Sequence, residues 1–237
     1  MLQQTGVARV LPAYAAFLRR FPTLGALSRA SLADVLGVWS GLGYNRRARD
    51  LHRISRLHPR ALPGTREALD ALPGVGAYTA GAVSCFSRGE SVAFADTNIR
   101  RVLGRALLGR IATEHEAVAL DERLVPRRAA DRWHHALMDL GATVCVARTP
   151  HCADCPLAEG CRSRGRVVRA APRRQAAFAT SDRRIRGRIV SALTRSEAMT
   201  IDDLEREIDD PRVRTIAVVL EREGLVERDG ERVRLPA

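Results

Sequence analysis

Apolar residues fall at Val7, Val10, Leu11, Tyr14, Phe17 and Leu18, the spacing of one helix face, and Phe21-Pro22-Thr23 ends the run. Ser31 to Gly37 reads as a short helix, with Ser31 as its N-cap and the Asp34 carboxylate in its first turn. Gly41-Leu42-Gly43-Tyr44 is a turn, and Asn45 opens a helix that carries Arg46, Arg47 and Arg49. After the loop Leu62-Pro63-Gly64, helices are predicted over Thr65–Leu72, Ala77 to about Ser87, Ile99–Leu108, His115–Leu124 and Asp131–Leu140. The alternation that marks strands is nearly absent until the end of the chain, so the class expected is mainly α. Asp182–Leu193, Ile201–Ile208 and Arg212–Glu223 are three further helices. Leu225–Arg228 and Arg232–Leu235 then flank Asp229-Gly230-Glu231 as a β-hairpin.

The stretch Leu72-Pro73-Gly74-Val75-Gly76-Ala77-Tyr78 joins two of these helices. Pro73 stops the first, because it disfavours the α region for the residue before it and has no N–H to donate. Gly74 and Gly76 allow a tight turn and the close approach of another backbone. A turn that leads into a helix N-terminus offers N–H groups to a phosphate. The plainer reading is an ordinary turn between helices, and the motif alone leaves both open. Asp96, in Ala95-Asp96-Thr97-Asn98, reads first as the N-cap of the helix that follows. Tyr44 beside its arginines is an aromatic–cation pair of the sort that stacks bases. The local pattern favours a buried tyrosine there.

Composition narrows the partner. The net charge of +12 and a pI of about 11.0 favour a polyanion, most simply nucleic acid, although an arginine-rich composition from a high-GC genome accounts for part of it. At 46% hydrophobic and 4% aromatic, the core is expected to pack through Ala, Leu and Val. With no long apolar run or signal peptide, the expected location is the cytoplasm, with the nucleoid, and no membrane partner. The chain contains no lysine. A lysine amine is the usual side chain for Schiff-base attack on a sugar carbon, so any base-removing chemistry here is expected to use water and stop at the abasic site.

Cys145, Cys152, Cys155 and Cys161 are spaced C-x6-C-x2-C-x5-C, while Cys85 lies apart on an apolar helix and reads as core. Four clustered cysteines in a cytosolic protein point to metal rather than disulfides, either zinc or a [4Fe-4S] cluster. The adjacent His134 and His135 point to different helix faces and are not expected to join a metal site. The expected division is a helical domain over 1–141, a cysteine loop over 142–162, a basic linker over 163–181 and a winged-helix-like module over 182–237. If that module binds DNA, Arg212–Glu223 is its recognition helix, but its mixed charge fits protein contact or packing equally well.

Taken together, the hairpin Leu72 to Gly81, the Asp at the head of the next helix and the cysteine run resemble the helix-hairpin-helix DNA glycosylases that carry an iron–sulfur cluster. The resemblance covers Met1 to about Arg162, more than two-thirds of the chain. Met1-Leu2-Gln3-Gln4-Thr5, Gly41-Leu42-Gly43-Tyr44 with Arg47-Ala48-Arg49, and Ala136-Leu137-Met138-Asp139-Leu140-Gly141-Ala142 resemble its adenine DNA glycosylase branch. That branch removes adenine mispaired with 8-oxoguanine. The resemblance implies a [4Fe-4S] cluster on Cys145, Cys152, Cys155 and Cys161, and a monomer acting on double-stranded DNA with a mispair. It makes Asp96 the carboxylate that stabilises the sugar cation, and has Asn98 hold the catalytic groups and water. Tyr78 stands where the lyase relatives carry lysine. Gly74, Gly76 and Ala77 would grip a phosphate, and Gln3, Gln4, Tyr44 and Arg47 would meet the DNA near the lesion while adenine is flipped out.

Two departures stand out. The family's general-acid glutamate lies two residues before the methionine of Met-Leu-Gln-Gln-Thr, so it and the first helices are expected upstream of Met1. Without that acid, worth typically ~10²–10⁴-fold, the chain as written is expected to be badly impaired. Many members also end in a Nudix-like domain that reads 8-oxoguanine, where this chain has its small C-terminal module. The competing readings are a thymine or uracil mismatch glycosylase sharing Tyr78 and Asp96, a non-catalytic DNA-binding lesion sensor, and a winged-helix regulator with a redox-sensing cluster.

Overall fold

Thr23, Ser31, Thr65, Asp96, Thr113 and Thr200 each accept a hydrogen bond from an N–H in the first turn of the helix that follows. Each satisfies a donor that a helix start leaves unpaired. The computed structural model describes residues 1–2, 4–168 and 177–237. Its first elements are α1 (Val7–Arg20), α2 (Leu24–Arg29), α3 (Leu32–Trp39) and α4 (Arg46–Leu57). Next come α5 (Arg66–Asp70), α6 (Ala77–Arg88), α7 (Thr97–Leu103), α8 (Glu114–Leu124) and α9 (Ala130–Asp139). The chain closes with α10 (Asp182–Leu193), β1 (Met199–Thr200), α11 (Ile201–Ile208), α12 (Val213–Arg222), β2 (Glu227–Asp229) and β3 (Arg232–Arg234). No helix among the described residues is long and apolar enough to cross a membrane.

These elements group into two units, Met1–Leu62 with Arg174–Ala237, and Pro63–Arg173. The grouping cuts across the linear division expected from sequence, because apolar spacing shows which residues need covering but not which distant segment covers them. In the first unit Val35, Leu36 and Trp39 share one buried cluster with Ile185, Ile189, Leu220 and Val226. Phe17 packs edge-on against Phe21 at 5.0 Å and Trp39 at 6.1 Å. β3 lies between β1 and β2 in an antiparallel sheet, with Met199 opposite Val233 and Arg228 opposite the same residue on the other side. The predicted hairpin is β2–β3, turned at Gly230 with φ +56°, and β1 is an addition too short to leave an alternating signal. On α1 only Val10 and Phe17 are buried, while Leu11 and Tyr14 of the expected apolar face are exposed.

The second unit buries Phe94, Ile99, Val102, Leu103 and Leu137. A polar pair sits within this core. His134 Nε2 lies 2.7 Å from Asp121 Oδ2, with both side chains fully buried. The Phe94 N–H also donates to Asp121 Oδ2, and Trp133 Nε1 donates to Oδ1. The Phe94 ring stacks on His134 at 4.0 Å. Helix α8, which reads as an acidic surface helix, therefore hides one carboxylate that holds the backbone two residues before Asp96. The helix predicted over Ile99–Leu108 is not α throughout. After α7 the chain makes a π turn over Gly104–Leu108, and after α9 another over Leu140–Val144. Such turns mark a residue more than a regular helix holds and often occur at functional sites.

Removing one member of a buried hydrogen-bonded pair strands the other. Asp121→Ala is expected to cost about 3–5 kcal/mol of unfolding free energy, whereas Arg20→Ala at the exposed Arg20–Asp34 bridge should cost about 0–1 kcal/mol. Urea denaturation of both variants measures the contrast.

Candidate active site and cysteine loop

Helix α5 ends at Asp70, and the chain turns through Leu72–Gly76 into α6. The Val75 N–H bonds the Leu72 carbonyl at 3.1 Å, and Gly74 takes φ +71°, a conformation that costs glycine nothing. Gly76, the N-cap of α6, has no side chain to occupy the first-turn N–H groups. Gly74, Gly76 and Ala77 are exposed, so the helix start faces outward with the favourable end of its dipole.

Tyr78, Asp96 and Asn98 come together beside this hairpin, in the same unit. Asp96 is the N-cap of α7, its Oδ1 accepting from the N–H groups of Asn98 and Ile99 at 2.8 and 2.7 Å. Its Oδ2 accepts from Asn98 Nδ2 at 3.0 Å. The capping role thus fixes the carboxylate without consuming it, because an ionised carboxylate offers about four acceptor positions. Tyr78 packs edge-on against Phe94 at 5.7 Å. Burial, and then the Asp96 charge, push the Tyr78 phenol above its ordinary range.

Two further residues hold this group, and sequence reading gave neither a role. Arg101 donates to Asn98 Oδ1 at 2.7 Å, to the Gly141 carbonyl at 2.6 Å and to the Cys145 carbonyl at 2.7 Å. Gly141 lies so close that a Cβ there would fall 2.6 Å from the Asn98 Cβ. The available signal was positional: Arg101 stands three residues after Asn98, on the same helix face.

Cys145, Cys152, Cys155 and Cys161 all line one pocket, together with Val144, Pro150, Ala158 and Arg105. Among the described residues no group of three or more His, Cys, Asp or Glu side chains is arranged to hold a metal ion. Arg105 is only 2% exposed. Its guanidinium donates to the carbonyls of Cys145, Val146, Ala147 and Val168 and lies 3.5 Å from Cys145 Sγ. It sits on the first π turn, and the second runs directly into Cys145. Cys85 is buried, as its apolar helix implied.

The first unit gathers Gln4, Tyr44 and Arg47, while Gln3 lies outside the described residues. Tyr44 is 40% exposed, against the buried position that the local pattern favoured. Its left-handed φ of +51° carries the ring outward instead of under α4. Its hydroxyl donates to Gln4 Oε1 at 3.4 Å, and Arg47 lies over its ring at 5.2 Å. Arg47 also lies over the Trp39 ring at 5.5 Å.

The family model described as "HhH-GPD superfamily base excision DNA repair protein" matches residues 1–127, more than half of the chain. Solved structures agree in fold. A thermostable thymine-DNA glycosylase is 27% identical with a TM-score of 0.62, over 68% of this chain and 79% of that one. A non-covalent endonuclease III–DNA complex is 25% identical with a TM-score of 0.61, over 68% and 78%. The chain belongs to this superfamily of base excision DNA repair proteins. The adenine DNA glycosylase of Mycobacterium tuberculosis is 45% identical over 209 residues, 83% of this chain and 68% of that protein. The human adenine DNA glycosylase is 40% identical over 178 residues, 70% of this chain and 32% of its own longer length. Within the superfamily the chain is thus an adenine DNA glycosylase, a class that hydrolyses N-glycosyl bonds in DNA.

The raised phenol sets a pH test. Tyr78 is expected to stay neutral through the ordinary tyrosine value of 10.0, which the unfolded chain follows. Its contribution to stability is complete below that value and falls as pH rises through the higher folded one. The ultraviolet difference spectrum of wild type minus Tyr78→Phe should show a phenolate appearing later than free tyrosine, and earlier once Asp96→Asn removes the neighbouring charge.

Proposed function

We propose that this protein releases adenine mispaired with 8-oxoguanine or guanine in double-stranded DNA, acting as a monomer and stopping at the abasic site. The carrying observation is the group Asp96–Asn98–Tyr78 beside the hairpin that leads into α6. Breaking the N-glycosidic bond leaves positive charge on the sugar, as in glycoside hydrolysis, and a preorganised carboxylate lowers that barrier. Asp96 takes this part, with one oxygen tied to the backbone and the other to Asn98. Asn98, itself held by Arg101, orients the carboxylate and the attacking water. Tyr78, kept as a neutral phenol, fills the place that a lysine has in lyase relatives. No lysine exists elsewhere in the chain to form a Schiff base.

The N–H groups of Gly74, Gly76 and Ala77 fit a DNA phosphate. Tyr44 with Gln4 and Arg47, and by the family resemblance Gln3, meet the stacked bases while adenine leaves the duplex. The 45% identity to an adenine enzyme favours adenine over thymine, the base named for the 27% identical structure. The four pocket cysteines fit a [4Fe-4S] cluster. By the family resemblance, the C-x6-C-x2-C-x5-C spacing favours the cluster over zinc. The Arg105 guanidinium at Cys145 Sγ supplies positive charge to a thiolate-bound group. When bound, the cluster staples the loop from Cys145 to Cys161. Residues 182–237 follow a winged-helix-like order of helices and strands.

Single-turnover cleavage of a duplex carrying adenine opposite 8-oxoguanine, with alkali added afterwards, tests the reading. It is run on this chain and on a version carrying an N-terminal extension with the family's general-acid glutamate. Adenine release from either supports the proposal, and tight duplex binding without release from both favours the non-catalytic reading. In the active form, Asp96→Asn should slow release by at least about 10²–10³-fold while duplex binding persists. Loss of binding in step with release would remove the catalytic assignment. Iron and acid-labile sulfide should each approach about four per chain and fall together in Cys152→Ser.

A further inference from the structure

The C-terminal module has no assigned part in this chemistry, and the family model ends before it, at residue 127. Its α12 is the helix that analogous modules insert into DNA. Here the cations in the first turn of α12 and at its entry are paired within the module, while Arg222 at its far end is exposed. Arg212 pairs with Asp182 and Asp210 at 2.9 Å each. Arg214 bridges Asp202 and Glu231 at 3.0 and 2.9 Å. A helix whose leading guanidiniums, at the end that would enter the groove, are neutralised by its own module is poorly suited to a phosphate backbone.

A different residue of the module meets the DNA-reading group. Arg183, in the first turn of α10, donates from Nη1 to the Tyr44 hydroxyl at 3.1 Å. The hydroxyl in turn donates to Gln4 Oε1 at 3.4 Å. Tyr44 is thus held at its tip by Arg183 and over one face by Arg47. Its backbone stays in a left-handed conformation that costs a non-glycine residue about 1 kcal/mol or more and persists only where the surroundings enforce it. An exposed aromatic ring with a guanidinium at its edge can stack a base and take up an acceptor beside it, either a purine edge or a phosphate oxygen.

We propose that Arg183 is a DNA-contacting residue, through which the C-terminal module joins Tyr44 at the bases near the excised adenine. This rests on the reading of Tyr44 as a DNA-contacting side chain. The ligand chemistry is a planar pair of acceptors, found on a purine edge or a phosphate group. Lysine keeps the charge but loses the fork, so Arg183→Lys separates the two sources.

The test is equilibrium binding of the full chain to duplexes with a tetrahydrofuran abasic analogue opposite guanine, 8-oxoguanine or cytosine, across a salt series. Binding to this product-like duplex requires no chemistry. Arg183→Ala should weaken binding about 5- to 50-fold. If the contact is a phosphate, the loss is uniform across opposing bases, the salt slope falls by about one, and Arg183→Lys restores most of the affinity. If it is a base edge, the loss is concentrated on the purine-opposed duplexes, and lysine does not restore it. Unchanged binding in Arg183→Ala, with Tyr44→Ala weakened and the melting temperature of the Arg183 variant unaltered, overturns the proposal. Unchanged binding in Tyr44→Ala, with Arg183→Ala weakened, instead removes the reading of Tyr44. Tyr44→Phe with Arg183→Ala completes a double-mutant cycle, and simple additivity would show that the hydroxyl contact carries no coupling.

Discussion

A single guanidinium joins the chemistry of the second unit to its cysteine loop. Arg101 reaches Asn98, Gly141 and Cys145 at once, so the residue that orients Asp96 and the backbone that starts the cysteine run share a donor. Burial makes the charged form harder to hold, and the Arg101 pKa falls below its usual value. The hydrogen bonds must therefore be complete, since a buried charge with missing partners is costly. One turn further on, Arg105 does the same for the carbonyls after Cys145. Two arginines on one helical segment thus set the position of the loop, which has little apolar surface of its own.

The order of events along the chain was legible in sequence wherever a local rule governs. Ser31 and Asp96 read as caps and are caps, and Pro73 and Gly74 marked the turn between α5 and α6. The cysteine spacing identified four residues that line one pocket. What sequence concealed was set by tertiary partners. Asp121 lies in a helix that reads as acidic surface, but its carboxylate answers a histidine, a tryptophan and a backbone N–H that arrive from elsewhere. Tyr44 read as buried because an aromatic beside a basic helix usually is, and its left-handed backbone left no trace in composition. Arg101 and Arg105 were lost among thirty-nine residues of the same kind.

The abundance of arginine has two meanings in this molecule. Much of it is structural. Glu223, for example, is held between Arg46 at 3.1 Å and Arg186, so it ties α4 to α10. Net charge therefore overstates the cationic surface open to DNA, and the functional question is which guanidiniums face outward. Carboxylates within the C-terminal module answer it in part by occupying Arg212 and Arg214 at the start of α12.

The two π turns carry a consequence for how this segment tolerates change. Each holds one residue more than a regular helix, and a single residue is worth about 100° of rotation. Deleting one position between Gly104 and Leu108 would let a regular helix run on with its downstream face turned by that angle. The same holds between Leu140 and Val144, immediately before Cys145. Length is then held as tightly in these two stretches as the identities of Gly104, Arg105 and Gly141. A one-residue insertion or deletion there shifts the phase of everything that follows.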